Sequence, residues 1–256
     1  MPVQILSLNL WNVAEPLDAR LAALCSGLER MKPDIMCFQE VSAHPRLLRM
    51  QSEIIAERCH FAHHAYSLSG HWGSREEGLA ILSRHPIVGS LRVALPEFSG
   101  DMARQVFLAE LAIGSRRVLV ANTHLAFPVP MTRERSSQAA VVVSAIKDYG
   151  ERLRVPSVVL CGDFNDAPDS PAIRTILDGD PGFLDAFASC HPQCQGHTFS
   201  SANHYVDPAL EEDGRIDYIF AGGGLRVNRC KIVFDGRDGL EIVSDHFGLF
   251  CALEFA

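Results

Sequence analysis

At 256 residues, with 47% apolar and 21% charged, the chain can bury a core of its own, which excludes a disordered segment and a scaffold that needs disulfides or metals in order to fold. A formal charge of -8 argues against extended duplex DNA as a partner, because neutralising many phosphates takes a clustered basic face, and Arg116, Arg117, Arg152, Arg154, Arg226, Arg229 and Lys231 are scattered. No run of about 18 apolar residues occurs, so no membrane span is expected.

The opening residues Met1-Pro2-Val3-Gln4-Ile5-Leu6-Ser7 show neither a basic leader nor a small-residue cleavage site, and the chain is read as starting on its first strand. Val3 to Leu10 reads as a buried strand. Leu17 to Met31 carries apolar residues at helical spacing and is stopped by Pro33, and Ile35 to Val41 reads as a second strand. A helix is expected after Pro45. Strands are expected around Phe61 to Tyr66, Leu79 to Leu82, Ile87 to Leu95, Gln105 to Ile113 and Val118 to Asn122, with Gly114-Ser115 as a turn, so this middle stretch reads as antiparallel sheet. The longest helical pattern, Thr132 to Tyr149, is entered from Phe127-Pro128-Val129-Pro130, and Gly150 is its expected stop. Val158 to Cys161 is a short buried strand. Ile216 to Phe220, Val227 to Phe234 and Phe247 to Phe255 follow as strands, with glycine-rich turns at 222–224 and 236–239. No repeat, linker or low-complexity tract divides the sequence, so residues 1–256 are expected to form a single mixed α/β domain with enough strands for two packed sheets.

The eight cysteines, several inside apolar runs such as Ile35-Met36-Cys37-Phe38, are read as reduced thiols of a cytoplasmic protein. Cys190, His191, Cys194, His197 and His204 lie close in sequence, but their spacing matches no paired zinc motif, and a loop is preferred over a structural zinc site. His63, His64, His71 and Trp72 are assigned to an exposed loop with no specific role.

Polar residues recur where apolar strand patterns end: Asn9, Gln39-Glu40, Asn122-Thr123-His124, Gly162-Asp163-Phe164-Asn165, Arg215-Ile216-Asp217-Tyr218 and Ser244-Asp245-His246. Strand ends meet at the rim of a sheet, where a rigid scaffold holds reacting groups in fixed geometry. Carboxylates and amides in this proportion suit Mg²⁺ or Mn²⁺ better than zinc or copper. Chemistry on phosphate follows: an anionic phosphoester needs positive charge on its nonbridging oxygens, a base for water and help for the leaving oxygen.

In this order the set resembles the endonuclease/exonuclease/phosphatase (DNase I-like) superfamily, over Asn9 to His246, and Glu77-Gly78-Leu79-Ala80-Ile81-Leu82-Ser83-Arg84 resembles the family's structural strand. The resemblance implies an α/β (α+β) four-layer sandwich of two mixed β-sheets flanked by helices. It further implies a divalent-metal-dependent hydrolase of phosphoester bonds, a phosphodiesterase using in-line attack of an activated water, with Mg²⁺ or Mn²⁺. Glu40 is then the principal metal ligand, Asn9 lies near metal and phosphate, and Asp245 contacts a metal. Asp163 orients or deprotonates the attacking water, Asn165 hydrogen-bonds the phosphoryl group, and His246, steered by Asp217, binds or protonates a phosphate oxygen. His124 matches the position near the leaving group. Whether Asp163 or the His246–Asp217 pair is the base stays open.

Plainer readings stand beside these. Glu40 and Asp163 end buried apolar runs, where an unpaired carboxylate is strongly disfavoured, so each demands a bound cation or an arginine partner. Asp217 has Arg215 two residues away on the same strand face as a rival partner to a histidine. Trp11 is read as packing beneath Asn9, with no catalytic part. The stretch Gly196-His197-Thr198-Phe199-Ser200 to Asn203-His204-Tyr205 resembles neutral-sphingomyelinase-like members more than DNA-repair members. The phosphoester substrate therefore stays open between a lipid phosphodiester, a short or single-stranded nucleic acid cut by an endo- or exonuclease, and a small molecule. A noncatalytic scaffold is the last alternative.

Overall fold

In strands β1 (Val3–Asn9) and β2 (Ile35–Val41) successive side chains serve two different cores. Leu6, Leu8, Met36 and Phe38 face helices α1 (Leu17–Met31) and α2 (Gln51–Arg58), while Ile5, Ile35 and Cys37 face a second sheet. This is the two-residue period of a strand covered on both sides, which is why both strands read as continuous apolar runs. The structure is a computed structural model and describes residues 2–207, 209 and 212–256.

The first sheet is completed by β3 (His63–Trp72), β4 (Arg75–Ser83), β11 (Leu225–Val233) and β12 (Gly248–Phe255), in the order β11-β12-β1-β2-β4-β3. The second contains β5 (Ile87–Ala94), β6 (Gln105–Ile113), β7 (Arg116–His124), β8 (Ser157–Asp163), β9 (Leu184–Asp185) and β10 (Asp217–Gly222), in the order β5-β6-β7-β8-β10-β9. Each sheet has one parallel pair near its centre, β1 with β2 and β7 with β8, and its other pairs are antiparallel. The parallel pairs are joined through α1 and through α3 (Thr132–Leu153), the crossovers that parallel strands require. Leu119, Ala121, Val158 and Leu160 turn outward onto Val142 and Ile146 of α3 and onto Ile173 and Ile176 of α4 (Pro171–Leu177), whereas Val118, Val120, Val159 and Cys161 turn inward to the first sheet. The result is the four-layer α/β sandwich of two mixed sheets that the sequence implies.

Several elements differ from expectation for local reasons. The helix after Pro45 begins only at Gln51, because the His44 ring accepts from the N–H groups of Arg46 and Leu47 and holds a turn first. Helix α3 passes through Gly150 and ends at Leu153, capped by left-handed Arg154. His63, His64, His71 and Trp72 belong to strand β3 rather than to a loop, and His64 bonds the Ser52 hydroxyl of α2 at 2.9 Å. Sequence reading passes over α4, although Ser170 caps it from just before Pro171, and over β9 and α5 (Ala186–Cys190), which Asp185 caps. Cys230 and Cys251 oppose each other across β11 and β12, with Cα atoms 4.1 Å apart, and form a disulfide. That corrects the expectation of reduced thiols throughout, since cross-strand register sets the pair and spacing in the chain does not show it. Among the described residues no helix is long and apolar enough to cross a membrane.

At the rim, polar groups tie the two sheets together. The Asn122 amide of β7 donates to the carbonyls of Phe38 and Ala80 in the first sheet at 2.9 and 3.1 Å, and its oxygen accepts from Gln39 at 2.7 Å. A satisfied buried network of this kind fixes relative placement, and deleting its hub leaves several groups without partners. Asn122→Ala should therefore cost roughly 2–3 kcal/mol in urea unfolding. An unchanged midpoint would show that the sheets are aligned by apolar packing alone.

Candidate active site

The strands that run in parallel end on one rim and deliver their last residues to it. Asn9 ends β1, Glu40 lies near the end of β2, His124 ends β7 and Asp163 ends β8, where the register sets His124 directly opposite Asp163. Asp217 opens β10 opposite Asp163 on its other side, and His246 stands just before β12. Two backbone devices aim the carboxylates. The β2–β4 register shifts between Phe38 and Val41, and Glu40 adopts φ 53, which turns its side chain out of strand alternation. Gly162 has φ 151, and a Cβ there would overlap the Thr123 carbonyl, so only glycine lets β8 lie this close to β7.

Asn9 sits between the two acids, its Nδ2 donating to Glu40 Oε1 and to Asp163 Oδ2 at 3.0 Å each. Its own oxygen accepts from the Trp11 N–H at 2.9 Å, which fixes the amide orientation. Asn12 donates to the other Glu40 oxygen at 3.2 Å. Asp163 Oδ1 accepts from the Asn165 N–H at 2.9 Å, while the Asn165 side chain donates to the Leu125 carbonyl at 3.1 Å. Two imidazoles face the remaining Asp163 oxygen. His246 Nε2 lies 3.7 Å from Asp163 Oδ2, with Nδ1 bonded to Asp217 Oδ2 at 2.9 Å. His124 Nε2 lies 3.6 Å from the same oxygen, and its Nδ1 is 4.0 Å from Glu77 Oε1. Both histidines are thus turned toward Asp163; His246 is bonded to Asp217 behind it, whereas Glu77 stands behind His124 beyond hydrogen-bond distance.

The structure brings Asn9, Glu40, His124, Asp163, Asp217 and His246 together, with Asn165 bonded to Asp163 and Asp245 adjoining His246 in the chain. Asp217 does not pair with Arg215, whose guanidinium is held by Asp185 at 2.5 Å. Two contributors escape sequence reading. Glu77 is seen there only as part of a structural strand, and Thr198 only as part of the stretch Gly196 to Tyr205 that resembles neutral-sphingomyelinase-like members; yet the Thr198 hydroxyl accepts from the N–H groups of Ile216 and Asp217, and its carbonyl from Phe247 N–H, linking the Asp217 and His246 segments. Glu77 follows Arg75 and Glu76 at the polar start of β4, and nothing in that local pattern tells the buried Glu77 from the exposed Glu76. Among the described residues, the cysteines and histidines between Cys190 and His204 form no comparable cluster: His191 bonds the Cys230 carbonyl, and His197 lies 3.6 Å from Asp213.

Electrostatically the pocket carries more negative charge than its partners offset. Burial, then the neighbouring Asp217, push Asp163 up to about 7 against the pull of His246. Burial and Glu40 push Glu77 up to about 8, and burial, with Glu40 nearby, pushes Asp245 up to about 7. Burial disfavours a charged His246, yet Asp217 and Asp163 outweigh it and hold that imidazole well above its ordinary value. Burial, Arg104 and His246 together hold His124 well below it. Among the described residues no arginine or lysine pairs with Glu40 or Asp163; Arg104 is committed to Asp101, and Arg20 to the carbonyls of Leu10 and Val243. Buried carboxylates raised in this way, with amides between them, are the donor set of a hard divalent cation. Glu40, Glu77 and His124 form one group able to hold an ion, and Asp163, Asp217 and His246 form another.

Residues 6–246 match the Endonuclease/Exonuclease/phosphatase family. The chain is 27% identical over 251 residues to a protein named "Putative neutral sphingomyelinase" of Drosophila melanogaster, a match covering 89% of this chain and 54% of that protein. It is 26% identical over 200 residues to Carbon catabolite repressor protein 4 homolog 3 of Arabidopsis thaliana, covering 73% and 43%. The chain thus spans about half the length of these relatives. Among solved structures it is similar to D. rerio TDP2 complexed with single strand DNA product, at TM-score 0.81 and 20% identity with 99% of each chain covered. It is also similar to the human nocturnin catalytic domain, at TM-score 0.76 and 17% identity, covering 100% of this chain and 94% of that one.

The His246–Asp217 contact has a spectroscopic consequence. In the metal-free protein His246 should stay protonated well above its ordinary value, and Asp217→Asn should shift its titration to lower pH, since a neutral amide no longer favours the imidazolium. Histidine NMR titration reads this directly, and an identical curve in both proteins would contradict the pairing.

Proposed function

Because the chain belongs to the endonuclease/exonuclease/phosphatase family, whose members and neighbours are hydrolytic phosphoesterases and nucleases, we propose that it is a divalent-metal-dependent phosphodiesterase using in-line attack of an activated water. The observation that carries this reading is the acidic cluster of buried Asp163 with half-buried Glu40 and Asp245, faced by the imidazoles of His124 and His246, with no lysine or arginine paired to Glu40 or Asp163 among the described residues.

In this reading Glu40 and Asp245 would hold Mg²⁺ or Mn²⁺, which would supply positive charge against the phosphoryl oxygens. Asn9, whose oxygen is taken by the Trp11 N–H, borders that site and turns its NH2 toward the carboxylates rather than serving as the metal ligand expected from the sequence. Asn9 and Asn165 hydrogen-bond the phosphoryl group. His246, kept protonated by Asp217 and Asp163, donates to a nonbridging oxygen and stabilises the charge that develops there. That leaves Asp163 as the acceptor of the water proton, with a raised affinity suited to proton transfer near neutrality. His124 stands beside the leaving oxygen, with Glu77 behind it. The site draws on both sheets, which supports residues 1–256 acting as one domain. Six free cysteines beside a single disulfide support a cytoplasmic setting.

Two substrate readings have specific support. Similarity to the fly protein over 89% of this chain favours a lipid phosphodiester, and likeness to a fold seen with a single-stranded DNA product favours a short nucleic acid. Extended duplex DNA is disfavoured by the dispersed cations.

The test is hydrolysis of bis(p-nitrophenyl) phosphate with Mg²⁺ or Mn²⁺. EDTA and Glu40→Ala should each abolish turnover. Asp163→Asn and His246→Ala should lower it by roughly 10² to 10⁴ with little change in thermal midpoint. Activity that survives both EDTA and Glu40→Ala would discredit the metal role, and inactivity of the wild type on a broad phosphoester panel would favour the scaffold.

A further inference from the structure

Beside the reacting groups, three aromatic side chains continue outward in series, and the hydrolytic scheme uses none of them. The buried Arg20 guanidinium lies over the Trp11 indole, 5.1 Å from its ring centre. Tyr205 packs against Trp11 with centres 5.1 Å and planes 45° apart, and the exposed His204 packs against Tyr205 at 4.1 Å and 47°. Trp11 and Tyr205 are themselves only partly covered.

The series is tied to the site at two points. Arg20 donates to the carbonyls of Leu10, Ala14 and Val243 at 2.9, 2.8 and 2.8 Å, which holds the turn carrying Trp11 against the segment leading to Asp245. The Trp11 N–H holds the Asn9 oxygen at 2.9 Å. The Tyr205 N–H is held by Asn203 Oδ1 at 3.0 Å, and the Asn203 amide donates to the Asp245 carbonyl at 2.9 Å. Trp11 and Tyr205 are therefore fixed relative to Asn9 and Asp245, the residues read above as meeting metal and phosphate.

We propose that Trp11, Tyr205 and His204 form a stacking platform for a nucleobase, or a like planar heterocycle, carried on the phosphodiester beside the scissile bond. The inference rests on the hydrolase reading and narrows its substrate. The exposed His204 ring ends this tilted series and presents a face against which a flat group can pack. A quaternary ammonium group instead needs several ring faces converging on an open volume. Aromatic stacking is also tolerant of base identity, which suits a platform that offers few side-chain donors.

The test compares two esters with the same leaving group, the p-nitrophenyl ester of thymidine 5′-monophosphate and methyl p-nitrophenyl phosphate. In each, a water oxygen bonds to phosphorus as the bond to p-nitrophenolate breaks, and only one ester carries a base. Wild type should prefer the thymidine ester by at least about tenfold in kcat/KM. The Tyr205→Leu/His204→Ala protein should lose that preference, chiefly through KM; exposed His204→Ala alone serves if the double variant does not fold. A structural role for the series would lower both rates together and leave the ratio intact. Wild-type cleavage of both esters at equal efficiency, an unaltered ratio in the variants, or a preference for p-nitrophenyl phosphorylcholine would each overturn the platform while leaving the hydrolase reading in place. If neither ester is cleaved, the hydrolase reading fails, and calorimetry of thymidine 5′-monophosphate against methyl phosphate then decides the platform, equal affinities overturning it.

Discussion

An ionised carboxylate taken out of water must be compensated, and this fold buries Glu77, Asp163 and Asp217 at one rim beside half-buried Glu40, with no lysine or arginine paired to Glu40 or Asp163 among the described residues. What stands around them instead is amide N–H from Asn9, Asn12 and Asn165 and two histidines, of which His246 is bonded to Asp217. Partial compensation leaves Asp163, Glu77 and Asp245 with raised proton affinities, and clustered shifts of this kind are what a functional site produces more often than a structural ion pair.

The scaffold makes that arrangement possible by supporting it from beneath. Two sheets pack through an apolar layer that includes Ile5, Cys37, Val120 and Cys161, each within a few residues of a polar residue on the rim. A strand buried on both faces moves little, so a side chain at its end inherits that rigidity. Gly162 and the bulge at Glu40 then supply local exceptions to regular strand geometry, and such exceptions concentrate where function requires them. Thr198 and Asn203 add a second tier, joining the segments that carry Asp217, Asp245 and His246 through backbone bonds.

Much of this was legible in the sequence because both-side burial produces continuous apolar runs, and polar residues at their ends stand out. The bounds of α1, β2 and β6 agree with the patterns Leu17 to Met31, Ile35 to Val41 and Gln105 to Ile113. Short capped elements such as α4 and α5 were not legible, because one or two turns carry too little periodicity to be told from a loop. Pairing information was missing altogether. The facing of Cys230 and Cys251, the Asn122 bridge between sheets and the placement of Glu77 behind His124 all depend on register or on sheet packing, neither of which leaves a trace in local spacing. Trp11 was expected beneath Asn9; its backbone does hold that amide, while its ring turns toward Arg20 and Tyr205.

If a bound divalent ion compensates the acidic rim, anomalous scattering from crystals grown with Mn²⁺ will locate it there. A peak at a ligand distance of about 2.1 Å from the Glu40 carboxylate is the expected result. Manganese found only elsewhere, with Glu40 instead paired to a basic side chain, would contradict the account.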